Sequence, residues 1–220
     1  MDILYIDNHL LAVNKPCGLP TQPSQEHADS LECRAKAWIK KEYNKPGKVF
    51  LHAIHRLDRP VSGVVLFART SKALSRLNAS TRARDSQKIY NAVVHGQPAA
   101  SGDLEHFLAH RRMRAEVTSA SADGAKQARL SYTRLAVGGK FSLLEITLHT
   151  GRYHQIRAQF AAIGHPIVGD HKYQAPGQDG SGIALHHSSL TIPHPTTREP
   201  IAISATRPSR APWDKFSAAR

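Results

Sequence analysis

Residues 55–69 read HRLDRPVSGVVLFAR, a charged loop that leads directly into an apolar run. The run from Ser62 to Arg69 is almost continuously apolar, which indicates a strand buried on both faces. Asp58 lies in the loop before it, where Pro60 interrupts strand pairing. A carboxylate in a loop held by a rigid sheet is a candidate for catalysis. Its alternative interpretation is structural, as an ion-pair partner of the neighbouring arginines.

Strand and helix patterns surround this run without regular alternation. The pattern predicts strands over residues 3–6, 10–13 and 88–95, and strand-like sequence with turns over residues 102–148. It predicts helices from Asp29 or Ser30 to Tyr43, from Thr70 or Ser71 onward, and from His154 to Ile163. Because strands outnumber helices, we expect an α+β fold around a large mixed, mostly antiparallel sheet flanked by helices and loops.

Composition restricts the classes of protein. The 220 residues include 30 Lys and Arg but 17 Asp and Glu, a formal net charge of +13, which favours a polyanionic partner. No apolar run approaches the roughly 18 residues of a membrane span, and the first residues do not resemble a signal peptide. We therefore expect a cytoplasmic protein whose two cysteines are reduced thiols. We expect a single domain over residues 1–220, with a core at 3–205 and a tail at 206–220.

A second polar segment, GRYHQIR at residues 151–157, opens the predicted third helix, and GHPIVGD follows at 164–170. The start of a helix is a favourable place for an anionic ligand. The helix is predicted to be amphipathic, with Ile156 on its apolar side. Arg152 and Arg157 therefore have an alternative interpretation as solvated charges on the helix surface.

Together, these segments resemble the signature motifs of the RluA-type branch of pseudouridine synthases. The resemblance follows chain order through KPCG (15–18), HRLDRPVSG (55–63), KIYNAVVHG (88–96), GRYHQIR (151–157), GHPIVGDHKY (164–173) and LHHSSLTIPHPTTREP (185–200). It implies the pseudouridine synthase fold with a central RNA-binding cleft, in a compact member without a separate N-terminal RNA-binding module.

The resemblance implies isomerisation of uridine in ribosomal or transfer RNA, with the glycosidic bond moved from N1 to C5 of a flipped base. It identifies Asp58 as the essential aspartate, Tyr90 as the ring that stacks on the base, and Arg157 as the basic partner of Asp58. An arginine so placed favours the ionised aspartate, a nucleophile or a base. Without the resemblance, Tyr90 and Ile156 are interpreted as core residues.

Further residues are expected to contact the substrate. The resemblance implies that Arg56 enters the space left by the flipped nucleotide and that Ile156 lines the pocket. The other candidates lie in the same two motifs: His55, Arg59, Arg152, His154 and Gln155. The reaction is a redox-neutral rearrangement, so no cofactor is expected, and no metal is expected because the sequence completes no zinc template. We expect a monomer with RNA as its partner and no obligate protein partner.

Three departures from the family pattern concern substrate preference. Val61 stands where the family usually carries Thr or Ser, and Tyr153 likewise replaces a Thr or Ser. Residues 158–159, Ala-Gln, replace the commoner Val-His. None of these changes removes a proposed catalytic group.

Two other functions are compatible with parts of the sequence. A non-catalytic RNA-binding protein or RNA chaperone on the same fold explains the charge but leaves the Asp58 motif without a purpose. A zinc enzyme is suggested by the 14 His, with short spacings at His52/His55, His106/His110 and His186/His187. However, the sequence contains neither HExxH nor a CxxC pair, so no zinc template is complete.

We predict that RNA binding weakens steeply as salt rises, because neutralised phosphates release their counterions. The candidate contacts are Arg76, Arg82, Arg84, Lys88 and the run His110-Arg111-Arg112-Met113-Arg114. A filter-binding titration from low to moderate ionic strength measures the slope. A flat titration would contradict an electrostatic contribution from this excess of basic residues.

Overall fold

The computed structural model describes residues 1–177 and 182–217. Residues 178–181, in the predicted core, and 218–220, in the predicted tail, lie outside the described residues. The strands are β1 Ile3–Ile6, β2 Leu10–Lys15, β3 His52–Ala53, β4 Ser62–Ala68, β5 Gln87–His95, β6 Ser101–Arg111, β7 Arg114–Thr118, β8 Lys126–Gly138, β9 Phe141–Leu148, β10 Leu185–Pro193 and β11 Pro200–Ser204. The helices are α1 Leu31–Glu42, α2 Ser71–Ala83 and α3 Gln155–Ala162, with 3-10 helices at His171–Tyr173 and Trp213–Phe216. This strand-rich arrangement confirms the α+β prediction.

The chain divides into two compact units. The first comprises Met1–Gln87 and His187–Thr206, and the second comprises Lys88–His186 and Arg207–Arg220. Strand β10 begins in the second unit and continues into the first. The single catalytic domain over residues 1–220 stays a prediction.

The first unit is organised around β4, whose seven residues are all buried, as its apolar sequence predicts. Its strand order is β1-β2-β4-β10, with β3 paired to β4 and β11 paired to β10. The β1–β2, β2–β4, β3–β4 and β10–β11 pairs are antiparallel. Apolar residues of the strands and α2, with the residue after β11, form one core: Leu10, Ala12, Val64, Leu66, Ala68, Ala73, Leu77, Leu190, Ile192, Ile203 and Ala205.

Both helices of this unit begin at the predicted capping residues. The Ser30 hydroxyl accepts a hydrogen bond from the Cys33 amide at 3.2 Å, and the Thr70 hydroxyl accepts one from the Ala73 amide at 3.2 Å. Each bond satisfies an amide that the first turn of a helix leaves without a carbonyl.

The second unit is an antiparallel sheet in the order β5-β9-β8-β6-β7. Helix α3 packs against β6 and β7. Its contact with the strands includes a core cluster of Leu108, Ala115, Ala128 and Ala158, with Tyr173 against it.

Helix α3 is not amphipathic, contrary to the sequence-based expectation. Six consecutive residues, Gln155 to Phe160, are buried. Most polar atoms of these side chains find partners inside the protein, although Oε1 of Gln159 is buried without one among the described residues. For example, the Gln159 amide nitrogen donates to the Leu104 and Ala128 carbonyls at 3.1 and 3.3 Å.

A close approach of two backbones fixes the start of β4. Gly63 has φ +114°, and a Cβ added there would lie 2.2 Å from the His187 carbonyl oxygen. Only glycine fits this position, because both the backbone conformation and the neighbouring main chain exclude a side chain.

We predict that Gly63→Ala lowers the free energy of unfolding by about 2–4 kcal/mol, from a positive φ combined with overpacking. Gly124→Ala is the matched control, since Gly124 has φ +71° but nothing within 4 Å of an added Cβ. The control should cost only the conformational part, about 1–2 kcal/mol. Urea unfolding of both variants measures the difference; equal midpoints would contradict the close approach.

Candidate active site

The loop that carries Asp58 is held through its backbone. The Thr21 hydroxyl donates to the Leu57 carbonyl at 2.9 Å and accepts from the Leu57 amide at 3.1 Å. The Gly18 amide donates to the Arg59 carbonyl at 2.9 Å, and the Val61 amide donates to the Asp58 carbonyl at 3.0 Å. Main-chain bonds therefore fix the loop on both sides of the half-buried Asp58 side chain.

Lys15, at the end of β2, lies beneath this loop and is fully buried. Its ammonium donates to the Leu19, Pro16 and Arg59 carbonyls at 2.6, 3.1 and 3.2 Å. An ammonium has three donors, and three carbonyls accept from this one. Lys15 thus ties residues 16–19 to the residue that follows Asp58.

Burial lowers the pKa of the Lys15 ammonium to about 8, because the charged form loses its hydration. Interactions with Cys17 and Asp58 act in the opposite direction and favour the charged form. Charged Lys15 and the Asp58 carboxylate therefore attract each other.

The other predicted residues of this motif have different surroundings. His55 is partly buried, its Nε2 accepts from the Leu66 amide at 3.3 Å, and its ring lies 5.2 Å from the ring of His187. Arg56 is exposed. Arg59 is exposed too, and its Nη1 lies 2.9 Å from His27 Nε2. Their roles toward a substrate stay predictions.

Tyr90 and Ile156 are both buried in the second unit, at 7% and 4% exposure. Tyr90 lies on β5 opposite Ile146 of β9, and Ile156 lies in the first turn of α3. Their positions agree with the core interpretation of each residue. The family roles of stacking and pocket lining stay predictions.

Arg157 is buried rather than solvated, with 5% of its surface exposed. Its Nε and Nη2 donate to the two oxygens of Asp170 at 2.7 and 2.8 Å, which is a bidentate ion pair. Its Nη1 lies 2.9 Å from Nε2 of His154. The interpretation of Arg157 as a surface charge is therefore wrong.

The residues before α3 form a turn around Gln155. The Gln155 side-chain oxygen accepts from the Thr150 hydroxyl at 2.8 Å and the Arg152 amide at 3.0 Å, and its nitrogen donates to the Arg129 carbonyl at 3.0 Å. Arg152 is exposed, and its Nε donates to the Gln127 carbonyl at 3.0 Å. Gln155 therefore has a clear structural part in starting the helix.

The departures from the family pattern lie in different environments. Val61 is 3% exposed, whereas Tyr153 is 44% exposed. The Tyr153 ring stacks on His154 at a centroid distance of 3.9 Å and lies 4.4 Å from the ring of His110. Tyr153 thus lies against His154, the residue whose Nε2 is next to Arg157.

Within residues 1–177 and 182–217, no group of three or more His, Cys, Asp or Glu is arranged to hold a metal ion. The short histidine spacings in the sequence therefore do not form a ligand set in this part of the chain. In the same described ranges, no helix has the length and apolar character needed to cross a membrane.

Sequence reasoning did not assign a role to Lys15, Asp170 or Tyr173. All three occur in quoted motifs, but each was read only as part of a pattern. For Lys15 and Asp170 the signal is charge, because a buried lysine or arginine needs partners inside the protein. That signal becomes usable only once Arg157 and Lys15 are known to be buried.

Comparisons with known proteins agree with the motif resemblance. The family model described as RNA pseudouridylate synthase matches residues 9–162. The chain is 30% identical over 235 residues to tRNA pseudouridine synthase C of Yersinia pestis, covering 98% of this chain and 87% of the relative. It is 32% identical over 222 residues to ribosomal large subunit pseudouridine synthase D of Xanthomonas campestris pv. campestris, covering 94% and 66%.

A solved structure shows the same fold. Human RNA Pseudouridylate Synthase Domain Containing 4 matches with a TM-score of 0.79 at 23% sequence identity, covering 94% of this chain and 88% of that chain.

We predict that Lys15 makes stability depend on pH above neutrality. Its pKa is about 8 in the folded protein, against an ordinary value of 10.5. Between these values the unfolded chain binds more protons, so the free energy of unfolding rises with pH. Between pH 8 and 10.5, the free energy of unfolding of the wild type should rise by about 1–3 kcal/mol more than that of Lys15→Met.

Urea unfolding of both proteins across this range measures the gain, and titrating groups that do not interact with Lys15 cancel in the difference. Parallel stability curves would contradict the lowered pKa of Lys15.

Proposed function

This chain belongs to the RNA pseudouridine synthase family, and we propose that it converts uridine to pseudouridine in ribosomal or transfer RNA. The observation that carries the proposal is the Asp58 loop, whose backbone is fixed by Thr21, Gly18 and Lys15. Relatives named for transfer RNA and for the large ribosomal subunit support these two substrate classes.

The proposed reaction rearranges one nucleotide without oxidation or reduction. The bond between N1 of uracil and C1′ of ribose breaks, and a bond between C5 and C1′ forms. N1 gains a proton, and C5 loses one. A base in a stacked helix must first be extruded, at a cost of a few kcal/mol.

We assign the central step to the Asp58 carboxylate, acting as a nucleophile or as a base. Two features support this assignment. The loop backbone is held on both sides of Asp58. The loop is therefore already ordered before the reaction begins. The Lys15 ammonium attracts its negative charge from beneath the loop.

We assign supporting roles to the other residues that the motifs contain. Tyr90 stacks on the extruded base, which can return about 1–3 kcal/mol. Arg157 supplies a fixed positive charge to Asp58, and Ile156 lines the pocket. Arg56 takes the place of the flipped nucleotide, and His55, Arg59, Arg152, His154 and Gln155 serve substrate binding.

The net charge of +13 supports RNA as the partner. We propose that the chain acts as a single catalytic domain and as a monomer without an obligate protein partner. We place the reaction in the cytoplasm, and it requires no cofactor, because the rearrangement leaves the oxidation state unchanged.

We predict that wild-type protein releases tritium from bacterial RNA labelled at C5 of uridine, since forming the C5 bond expels that hydrogen. Asp58→Asn should abolish release while RNA binding is retained. Asp29→Asn is the matched control, because Asp29 pairs with Arg34 on the surface with 59% of its side chain exposed. The control should keep wild-type activity.

Separate assays of the ribosomal and transfer RNA fractions identify the substrate class. No release from either fraction by a protein that still binds RNA would overturn the catalytic proposal in favour of a non-catalytic binder. Full release by Asp58→Asn would overturn the role of Asp58 alone.

A further inference from the structure

A chain of hydrogen bonds with a defined direction surrounds Arg157. Arginine is always protonated and has no acceptor, so Arg157 Nη1 is the donor in its 2.9 Å contact with His154 Nε2. Nε2 must then carry no proton. In a neutral imidazole the proton lies on the other nitrogen, so His154 is the Nδ1–H tautomer.

The other side of the His154 ring continues the chain. Nδ1 lies 3.0 Å from the Tyr173 hydroxyl, which therefore accepts the Nδ1 proton. The hydroxyl also accepts from the Ala115 amide at 2.8 Å and donates to the Ala115 carbonyl at 3.1 Å. Strand β7, which contains Ala115, thus anchors the ring orientation through Tyr173.

The charges around His154 favour its neutral form. Arg157, Lys172 and His110 oppose a positive charge on the His154 ring, whereas Asp170 favours one. Burial also disfavours the charged ring and is the largest cause. Together these effects lower the pKa of His154 to about 3. A protonated ring would direct an N–H at the Arg157 N–H.

Asp170 completes the arrangement from another direction. It is 1% exposed and holds both Nε and Nη2 of Arg157. The Tyr173 ring also faces the guanidinium, with Cζ of Arg157 5.2 Å from the ring centroid. The guanidinium is therefore held by a carboxylate, an imidazole and an aromatic ring, all in the second unit.

We propose that Asp170, His154 and Tyr173 are positioning residues, which hold the Arg157 guanidinium in a single orientation for the isomerisation. The inference rests on the proposed function and deepens it, because it gives His154 a role through Arg157. Tyr173 acts on Arg157 indirectly, because its hydroxyl orients the His154 ring.

The first test is spectroscopic and needs no RNA. In 15N-histidine-labelled protein, the His154 ring should show the Nδ1–H tautomer and remain neutral from pH 8 to pH 5. Comparison with His154→Gln assigns its signals. A ring with its proton on Nε2, or one that titrates near the ordinary histidine pKa of about 6.5, would overturn the directed chain.

The second test separates positioning from mere structural support. Tyr173→Phe should lower kcat for tritium release about 10-fold, with KM for RNA unchanged, because misplacement of a reacting group affects the reaction and not binding. Tyr43→Phe is the matched control, since Tyr43 is 47% exposed and lies at the end of α1, in the first unit. It should keep wild-type kcat.

Two substitutions of His154 provide a rescue comparison. His154→Leu removes the acceptor for Arg157 Nη1 and should lower kcat about 100-fold. His154→Gln retains an acceptor at a similar distance along the side chain. Its kcat should be about 10-fold higher than that of His154→Leu. Equal kcat for the two variants, per folded protein, would overturn the role of the acceptor.

The outcomes distinguish the inference from the proposed function. A wild-type protein that releases no tritium from any RNA overturns the proposed function. An active wild type whose Tyr173→Phe variant keeps full kcat overturns the positioning role alone. Asp170→Asn should resemble His154→Leu in kcat, and wild-type kcat for this variant would likewise overturn the positioning role.

Discussion

The ammonium group of Lys15 is shut off from water, and three main-chain carbonyls take the place of its hydration shell. A buried charge without partners is costly, so the segments that supply these carbonyls are held together. One carbonyl belongs to Arg59, the residue after Asp58. The position of the Asp58 backbone therefore depends in part on the hydrogen bonds that the buried lysine requires.

In the second unit the buried cation is an arginine, which likewise needs hydrogen-bond acceptors inside the protein. Arg157 is buried, and Asp170 and His154 accept hydrogen bonds from its guanidinium. Both units thus use a buried cation to order polar groups before any substrate arrives. Such preorganisation is valuable in catalysis, since groups already in place need no reorganisation when charge develops.

The sequence predicts local structure well where one segment contains the whole signal. The apolar run of β4 and the capping hydroxyls of Ser30 and Thr70 are such cases, and the structure confirms them. Helix α3 is different, because its polar residues find partners far along the chain. The Gln159 side chain reaches carbonyls 55 and 31 residues away, and no periodicity of α3 itself reveals these contacts.

The candidate site divides in the same way. The motifs identify Asp58, Tyr90 and Arg157 as residues of interest, but only by resemblance to a family. They do not reveal that Arg157 is paired with Asp170, thirteen residues further on, or that Lys15 lies under the Asp58 loop. Such pairings depend on tertiary contacts, which a pattern of residue types does not contain.

The backbone of His154 has a consequence for how this protein can evolve. This residue adopts φ +50° immediately before α3, a backbone region that glycine adopts at a lower energetic cost than residues with a Cβ. Glycine would relax the main chain, yet it presents no acceptor where Nε2 now lies. A substitution that relaxes the main chain here would therefore remove the acceptor for Arg157, so backbone stability and the orientation of Arg157 favour different residues at this position.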